Sequence, residues 1–194
     1  LMPRPTATAG NVDPEEVDRF DREAARWWDA SGPFRMLHVI GPARLAFIRQ
    51  AAIDHFALPQ DDPRPLAGRT CLDVGCGGGL VSEPLARLGG RVTGIDPAGR
   101  NVEAAHRHAD QMGLAIDYRA ALAEDIAAQG EHFDVVVCLE VVEHVPDPKA
   151  FVATLAALLA PGGLLILSTI NRTARSFALA IVGAEYILQW LPRG

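Results

Sequence analysis

Asp73-Val74-Gly75-Cys76-Gly77-Gly78-Gly79 joins an apolar strand signal, Thr70-Cys71-Leu72, to a helix through a turn almost bare of side chains. Such a turn commits the chain to a strand–turn–helix unit. Glycine there supplies positive φ and lets a ligand lie on the backbone, beside the unpaired N–H groups of the following helix. Asp96 closes the next apolar run, Val92-Thr93-Gly94-Ile95. That is about 20 residues on, where an acidic side chain accepts ribose hydroxyls in a nucleotide-binding βαβ unit. An adenosine-containing ligand is the first functional expectation, and a tight turn with no ligand is the alternative.

The remaining pattern extends the same unit. Apolar runs near 70–74, 91–95, 116–119, 133–139 and 164–169 alternate with helical segments, which predicts a mainly parallel sheet with helices on both faces. Ahead of it, Asp13-Pro14-Glu15-Glu16 reads as a helix start, with Asp as cap and Pro at the first helical position. A second helix is expected to begin at Pro42 and carry Leu45, Ile48 and Ala52, and Pro59 to Pro65 reads as a linker. The expected organisation is a disordered tail over 1–10, an N-terminal helical cap over 11–58 and a core over 66–194.

Composition narrows the partners. With 49% hydrophobic residues in 194, one good core is expected. The net charge of −6 and the lack of any basic block argue against nucleic acid as a substrate. Cys71, Cys76 and Cys138 are odd in number and far apart, which gives neither a zinc pair nor a disulfide framework and fits a reducing cytoplasm.

Two common nucleotides fit the glycine turn poorly. Counted from Gly75, the sixth position of the dinucleotide fingerprint is Leu80, and no Lys-Ser/Thr follows as a phosphate loop requires. Asp-x-Gly-x-Gly-x-Gly instead resembles the first motif of the S-adenosylmethionine-dependent methyltransferases. That resemblance implies a Rossmann-like methyltransferase fold, with Asp73, Gly75 and Gly77 at the cofactor and the Asp73 carboxylate facing the ammonium of its methionine moiety. Such a sheet ordinarily has seven strands, so C-terminal strands are expected to be missing from this sequence.

A second constellation follows the fourth strand signal. Phe133 to Leu139 runs into Glu140-Val141-Val142-Glu143-His144, at the strand end where open α/β sheets bind ligands. If the segment turns helically, positions i, i+3 and i+4 share a face and bring Glu140, Glu143 and His144 to one point. Two carboxylates and an imidazole suit Mg²⁺, Mn²⁺ or Zn²⁺. The alternatives are a turn that binds no metal and a His144 that acts as general base.

Longer pieces carry a narrower resemblance. Asn11-Val12-Asp13, Arg26-Trp27-Trp28-Asp29, Leu37-His38, Pro42-Ala43-Arg44-Leu45, Leu139-Glu140 with Glu143-His144-Val145-Pro146-Asp147-Pro148, Ser168-Thr169 and Val182-Gly183-Ala184-Glu185-Tyr186-Ile187 are similar to the ubiquinone-biosynthesis O-methyltransferase family. The resemblance implies O-methylation of 2-polyprenyl-6-hydroxyphenol and 3-demethylubiquinol. It places Arg44, Gly75, Asp96 and Leu139 at S-adenosylmethionine and Glu140, Glu143 and His144 at a divalent metal. The chemistry has use for such a site, because a phenol with pKa near 10 costs about 4 kcal/mol to ionise at pH 7.

Phe177 to Leu191 is apolar except for Gly183, Glu185 and Gln189, with Arg172, Arg175 and Arg193 flanking it. It is shorter than the ~20 residues a membrane span needs. A segment over 172–193 lying in the lipid headgroup region and a helix buried on the sheet are both open readings. The first implies an enzyme peripheral on the cytoplasmic face of the inner membrane, reaching a prenylated substrate there and joining a quinone-biosynthesis complex. The rival functions are a methyltransferase acting on a soluble small molecule and a non-catalytic cofactor-binding scaffold.

Overall fold

The computed structural model describes residues 11–169. The proposed tail over 1–10 and the apolar 172–193 segment lie outside them.

Five parallel strands form one sheet in the order β3-β2-β1-β4-β5. They are β1 (Thr70–Val74), β2 (Arg91–Asp96), β3 (Asp117–Ala120), β4 (Phe133–Leu139) and β5 (Leu159–Ser168). Apolar residues on both faces of β4 (Phe133, Val135 to Leu139) and of β1 (Cys71, Leu72, Val74) fit central parallel strands that are covered on both sides. Alternate residues therefore feed two cores. Leu72, Val136 and Cys138 pack with Ile126 of α5 (Ala123–Ala128) and with Phe151 and Leu155 of α6 (Pro148–Ala157). Cys71, Val135 and Val137 pack on the other face with Leu85 of α3 (Ser82–Arg87) and with Ile48 and Ala52 of α2 (Arg35–His55). The remaining helices are α1 (Pro14–Glu23) and α4 (Gly99–Gln111).

α1 starts as its sequence predicts, with the Asp13 carboxylate accepting the backbone N–H of Glu15. α2 does not. It begins at Arg35, a full two turns before the expected start, and Pro42 sits inside it. Proline removes one ladder hydrogen bond and crowds the preceding turn. Burial at both ends outweighs that cost: Phe34 stacks on Trp27 with ring centroids 3.8 Å apart, and Ile48 and Ile53 are fully buried. β5 also starts earlier than expected, at Leu159, and reaches its regular register only after an irregularity opposite Phe133 and Val135.

The order of the strands reverses beside β1, between the β2–β3 side and the β4–β5 side. In such sheets the crevice at the carboxyl ends of the strands at this switch point is the expected binding place. α1, α2 and the Trp27-Trp28 segment lie over that end. Among the described residues no helix is long and apolar enough to cross a membrane.

Candidate active site

A cavity of about 730 Å³ opens between the helical layer and the carboxyl ends of β1, β2 and β4. Arg44, Asp73, Gly75, Asp96, Leu139, Glu140, Glu143 and His144 all line it, so eight residues singled out in the sequence share one wall system. Gly77 is not among the lining residues. A Cβ there would fall 2.5 Å from the Trp27 ring, so the glycine makes room for that ring. Gly75, with φ of 73°, faces a methyl of Val141 in the same way. The bare turn thus makes room first for the chain's own side chains.

Asp73, next to last in β1, is almost wholly buried, and its Oδ2 accepts the Ser82 hydroxyl at 2.6 Å. Burial pushes its carboxyl up to about 6; the Ser82 hydrogen bond pulls the other way, and nearby Asp96 adds to the rise. A cation in the cavity relieves that strain by favouring the ionised form. Asp96 already braces the turn: Oδ2 accepts the Gly77 N–H at 2.9 Å, and Oδ1 accepts the Ala98 N–H at 2.9 Å and the Asn101 amide at 3.2 Å.

The helical layer attaches through its two tryptophans. Trp27 donates from Nε1 to Asn101 Oδ1 at 2.8 Å, and Trp28 donates to the Gly78 carbonyl at 2.9 Å while stacking on His108. His108 pairs with Glu83, which is fully buried and also held by Arg87. His38 hydrogen-bonds the Trp27 carbonyl through Nε2 at 2.8 Å and lines the cavity. Ser82 opens α3 and Asn101 lies in the first turn of α4, the helices that follow the two motif carboxylates, so a polar side chain at the start of the helix after each is the sequence signal for both.

The second constellation folds differently from its expectation. Only Val142–His144 forms a 3₁₀ turn, and Glu140 precedes it with φ of 59°, so the three side chains do not share a helical face. Glu140 Oε1 accepts Arg44 Nη2 at 2.6 Å and the Ser168 hydroxyl at 2.7 Å, while Glu143 Oε2 accepts the Thr169 hydroxyl at 2.8 Å. Among the described residues no three His, Cys, Asp or Glu side chains are grouped to hold a metal ion. The ready-made cluster expected from spacing is therefore corrected to two carboxylates held separately. Glu140 Oε2 is nonetheless buried without a hydrogen-bond partner, so one donor atom of the set has a free coordination direction.

Five carboxylates line the cavity, those of Asp13, Asp73, Asp96, Glu140 and Glu143, against the guanidinium groups of Arg44 and Arg87. Such a lining favours a ligand that carries positive charge.

Comparison with known proteins agrees with this geometry. Residues 72–167 match the family model described as a methyltransferase domain. A ubiquinone biosynthesis O-methyltransferase from Methylobacterium sp. (strain 4-46) is 57% identical over 96% of this chain and 75% of its own length. The protein of the same description from Azorhizobium caulinodans is 53% identical over 98% of this chain and 75% of its own. Among solved structures, magnesium protoporphyrin IX methyltransferase from Synechocystis PCC 6803 with bound SAH superposes with a TM-score of 0.64 at 24% identity, covering 89% of this chain and 78% of that one. At that identity the likeness speaks for the fold.

Proposed function

The chain belongs to the ubiquinone biosynthesis O-methyltransferases, which are S-adenosylmethionine-dependent enzymes, and from that premise we propose that it methylates a catechol-type hydroxyl of polyprenyl ring intermediates. The substrates proposed are 2-polyprenyl-6-hydroxyphenol and 3-demethylubiquinol. The observation that carries the reading is the cavity itself, in which Asp73, Asp96 and Glu140, from the ends of three adjacent strands, line one space of about 730 Å³. That is within the 300–1,000 Å³ usual for small-molecule sites.

Residue roles follow from charge and position. Asp73 takes the ammonium of the methionine moiety, and its raised pKa gives the ammonium a large return on pairing with it. Asp96 takes the ribose hydroxyls while its other bonds hold the glycine turn in shape. Arg87 or Arg44 answers the cofactor carboxylate. When bound, S-adenosylmethionine supplies a methyl on a sulfonium, whose C–S bond breaks to leave a thioether as the acceptor O–C bond forms. The chain's remaining work is to orient the acceptor oxygen in line, keep water out and remove the hydroxyl proton. His144 is the base proposed for that proton, as the imidazole that lines the cavity beside Glu143.

A second reading retains a divalent cation. It is favoured by the donor types of Glu140, Glu143 and His144 and by the unpartnered Oε2 of Glu140. A cation held there would lower the cost of forming the phenolate. It requires the carboxylates to regroup, with Arg44 yielding at least part of its hold on Glu140. Docking at the cytoplasmic membrane face, where a prenylated acceptor resides, is proposed from the apolar sequence over 172–193.

The test is methyl transfer from labelled S-adenosylmethionine to a short-chain prenyl catechol, with chelator and with Mg²⁺ restored. Transfer to oxygen supports the proposal. Loss with chelator and recovery with metal favours the second reading, and transfer indifferent to chelator favours His144 acting alone. Tight cofactor binding with no transfer would leave a binding scaffold.

A further inference from the structure

Ser82 stands behind Asp73 and outside the cavity. It is fully buried at the first position of α3 and forms no part of the cavity wall, whereas Asp73 lines that wall. The Ser82 hydroxyl donates to Asp73 Oδ2 at 2.6 Å, the length expected of a hydroxyl on an ionised carboxylate. No other side chain bonds Asp73 among the described residues, and the side-chain atoms buried there without a partner belong to Arg69, Tyr118 and Glu140. Asp73 Oδ1 therefore keeps an open edge on the cavity. Packing also limits where the serine can turn: a Cβ on Gly94 of β2 would fall 2.7 Å from the Tyr118 ring and 3.0 Å from Ser82 Oγ. The bare glycine leaves the space that these two side chains fill.

The groups around Asp73 make this bond its main support. Asp96 of β2 is the charged neighbour that acts on it, and it repels. Tyr118 of β3, Cys71 of β1, Cys76 of the glycine turn and Cys138 of β4 are all driven toward their neutral forms by burial. Glu83, next along α3, is turned to His108 and Arg87. None of these favours an ionised carboxylate. We propose that Ser82 is a positioning residue for cofactor recognition: by holding Oδ2 it fixes Asp73 with Oδ1 toward the cavity, and so lets the site select a cofactor that carries an ammonium. The same bond opposes the rise that burial imposes on the Asp73 carboxyl, so without it Asp73 stays protonated to higher pH. The inference rests on the placement of the ammonium at Asp73 made above and deepens it.

The experiment measures, by calorimetry between about pH 5.5 and 8, the binding of S-adenosylhomocysteine and of its analogue that lacks only the amino group. The complete gene product is compared with its Ser82→Ala and Ser82→Cys variants, and the Ser82→Ala change is repeated on Asp73→Asn. The wild-type protein is expected to favour the ligand with the amino group at least tenfold at neutral pH, and to lose that preference as pH falls through about 6. S82A is expected to lose about tenfold of the preference near pH 6.5 and to recover most of it by pH 8, with affinity for the deaminated analogue little changed. S82C, whose thiol is a weak donor, falls between the two. On D73N the serine change has no further effect on the preference. If S82A does not fold, as judged by thermal unfolding, S82C carries the comparison.

A loss by the same factor for both ligands at every pH would show that Ser82 merely packs the turn, and it overturns the inference. So does a preference in S82A and S82C that follows the wild-type pH profile, and in either case the placement of the ammonium at Asp73 stands. A wild-type protein that binds both ligands alike refutes that placement, and the inference falls with it.

Discussion

The indole of Trp27 lies against Gly78 so closely that a Cβ on this glycine would fall inside the Trp27 side chain. The same ring is stacked on Phe34 and anchored through Asn101, whose amide reaches Asp96. The helical layer is thus plugged directly into the turn that shapes the cofactor end of the cavity. Any disturbance of this joint reaches Asp96 in two hydrogen bonds.

Gly78→Ala isolates the joint, because Gly78 does not need the positive φ that Gly77 has. The added methyl has nowhere to go but into Trp27, and overpacking of this kind costs about 1–3 kcal/mol. A lower Tm, a red shift of tryptophan emission and weaker binding of S-adenosylmethionine are expected together. An unchanged emission spectrum would mean that the ring is not held at the turn.

Asp73 makes stability depend on pH in a definite direction. Its folded pKa, raised to about 6 mainly by burial, exceeds the ordinary value of 3.8. The group therefore adds stability below about pH 4 that is lost as pH rises through 6, up to ~3 kcal/mol. Asp73→Asn keeps an acceptor for Ser82 but removes the charge. It is expected to raise Tm at pH 7.5 in the ligand-free protein, with the gain shrinking toward pH 4.5, and to weaken S-adenosylmethionine binding at least tenfold by calorimetry. Equal Tm differences at both pH values would contradict the burial argument.

Glu83 is a fully buried carboxylate whose partners are His108 and the half-exposed Arg87. Removing His108 leaves it with the weaker partner, and breaking a buried pair costs roughly 3 kcal/mol. His108→Leu should lower Tm accordingly, and adding Glu83→Gln should recover most of the loss, a coupling that a double-mutant cycle measures directly. Simple additivity of the two changes would show that the stacking of Trp28, and not the pair, is what His108 provides.

The strand–helix alternation and the ligand end of the sheet are plain in the sequence because period and glycine placement are local properties. Asp73, Asp96 and Glu140 stand out for the same reason, each an acidic residue at or next to the carboxyl end of an apolar strand. The start of α2 is not legible, since Pro42 is a strong local stop signal and its tolerance depends on Phe34 and Ile53 being buried by distant segments. Gly77 is a related case: the sequence reports that room exists beside it, and the fold shows the Trp27 ring lying there. The partition of Glu140 between Arg44 and Ser168 joins residues 96 and 28 positions away, beyond the reach of any spacing rule.

The most direct measurement is a crystal structure of the complete gene product with S-adenosylhomocysteine and a short-chain prenyl catechol. The amino group is expected at Asp73, the ribose at Asp96 and the catechol in the same cavity between α2 and β4. Nucleoside bound elsewhere, or a catechol seated outside that cavity, would contradict the reading.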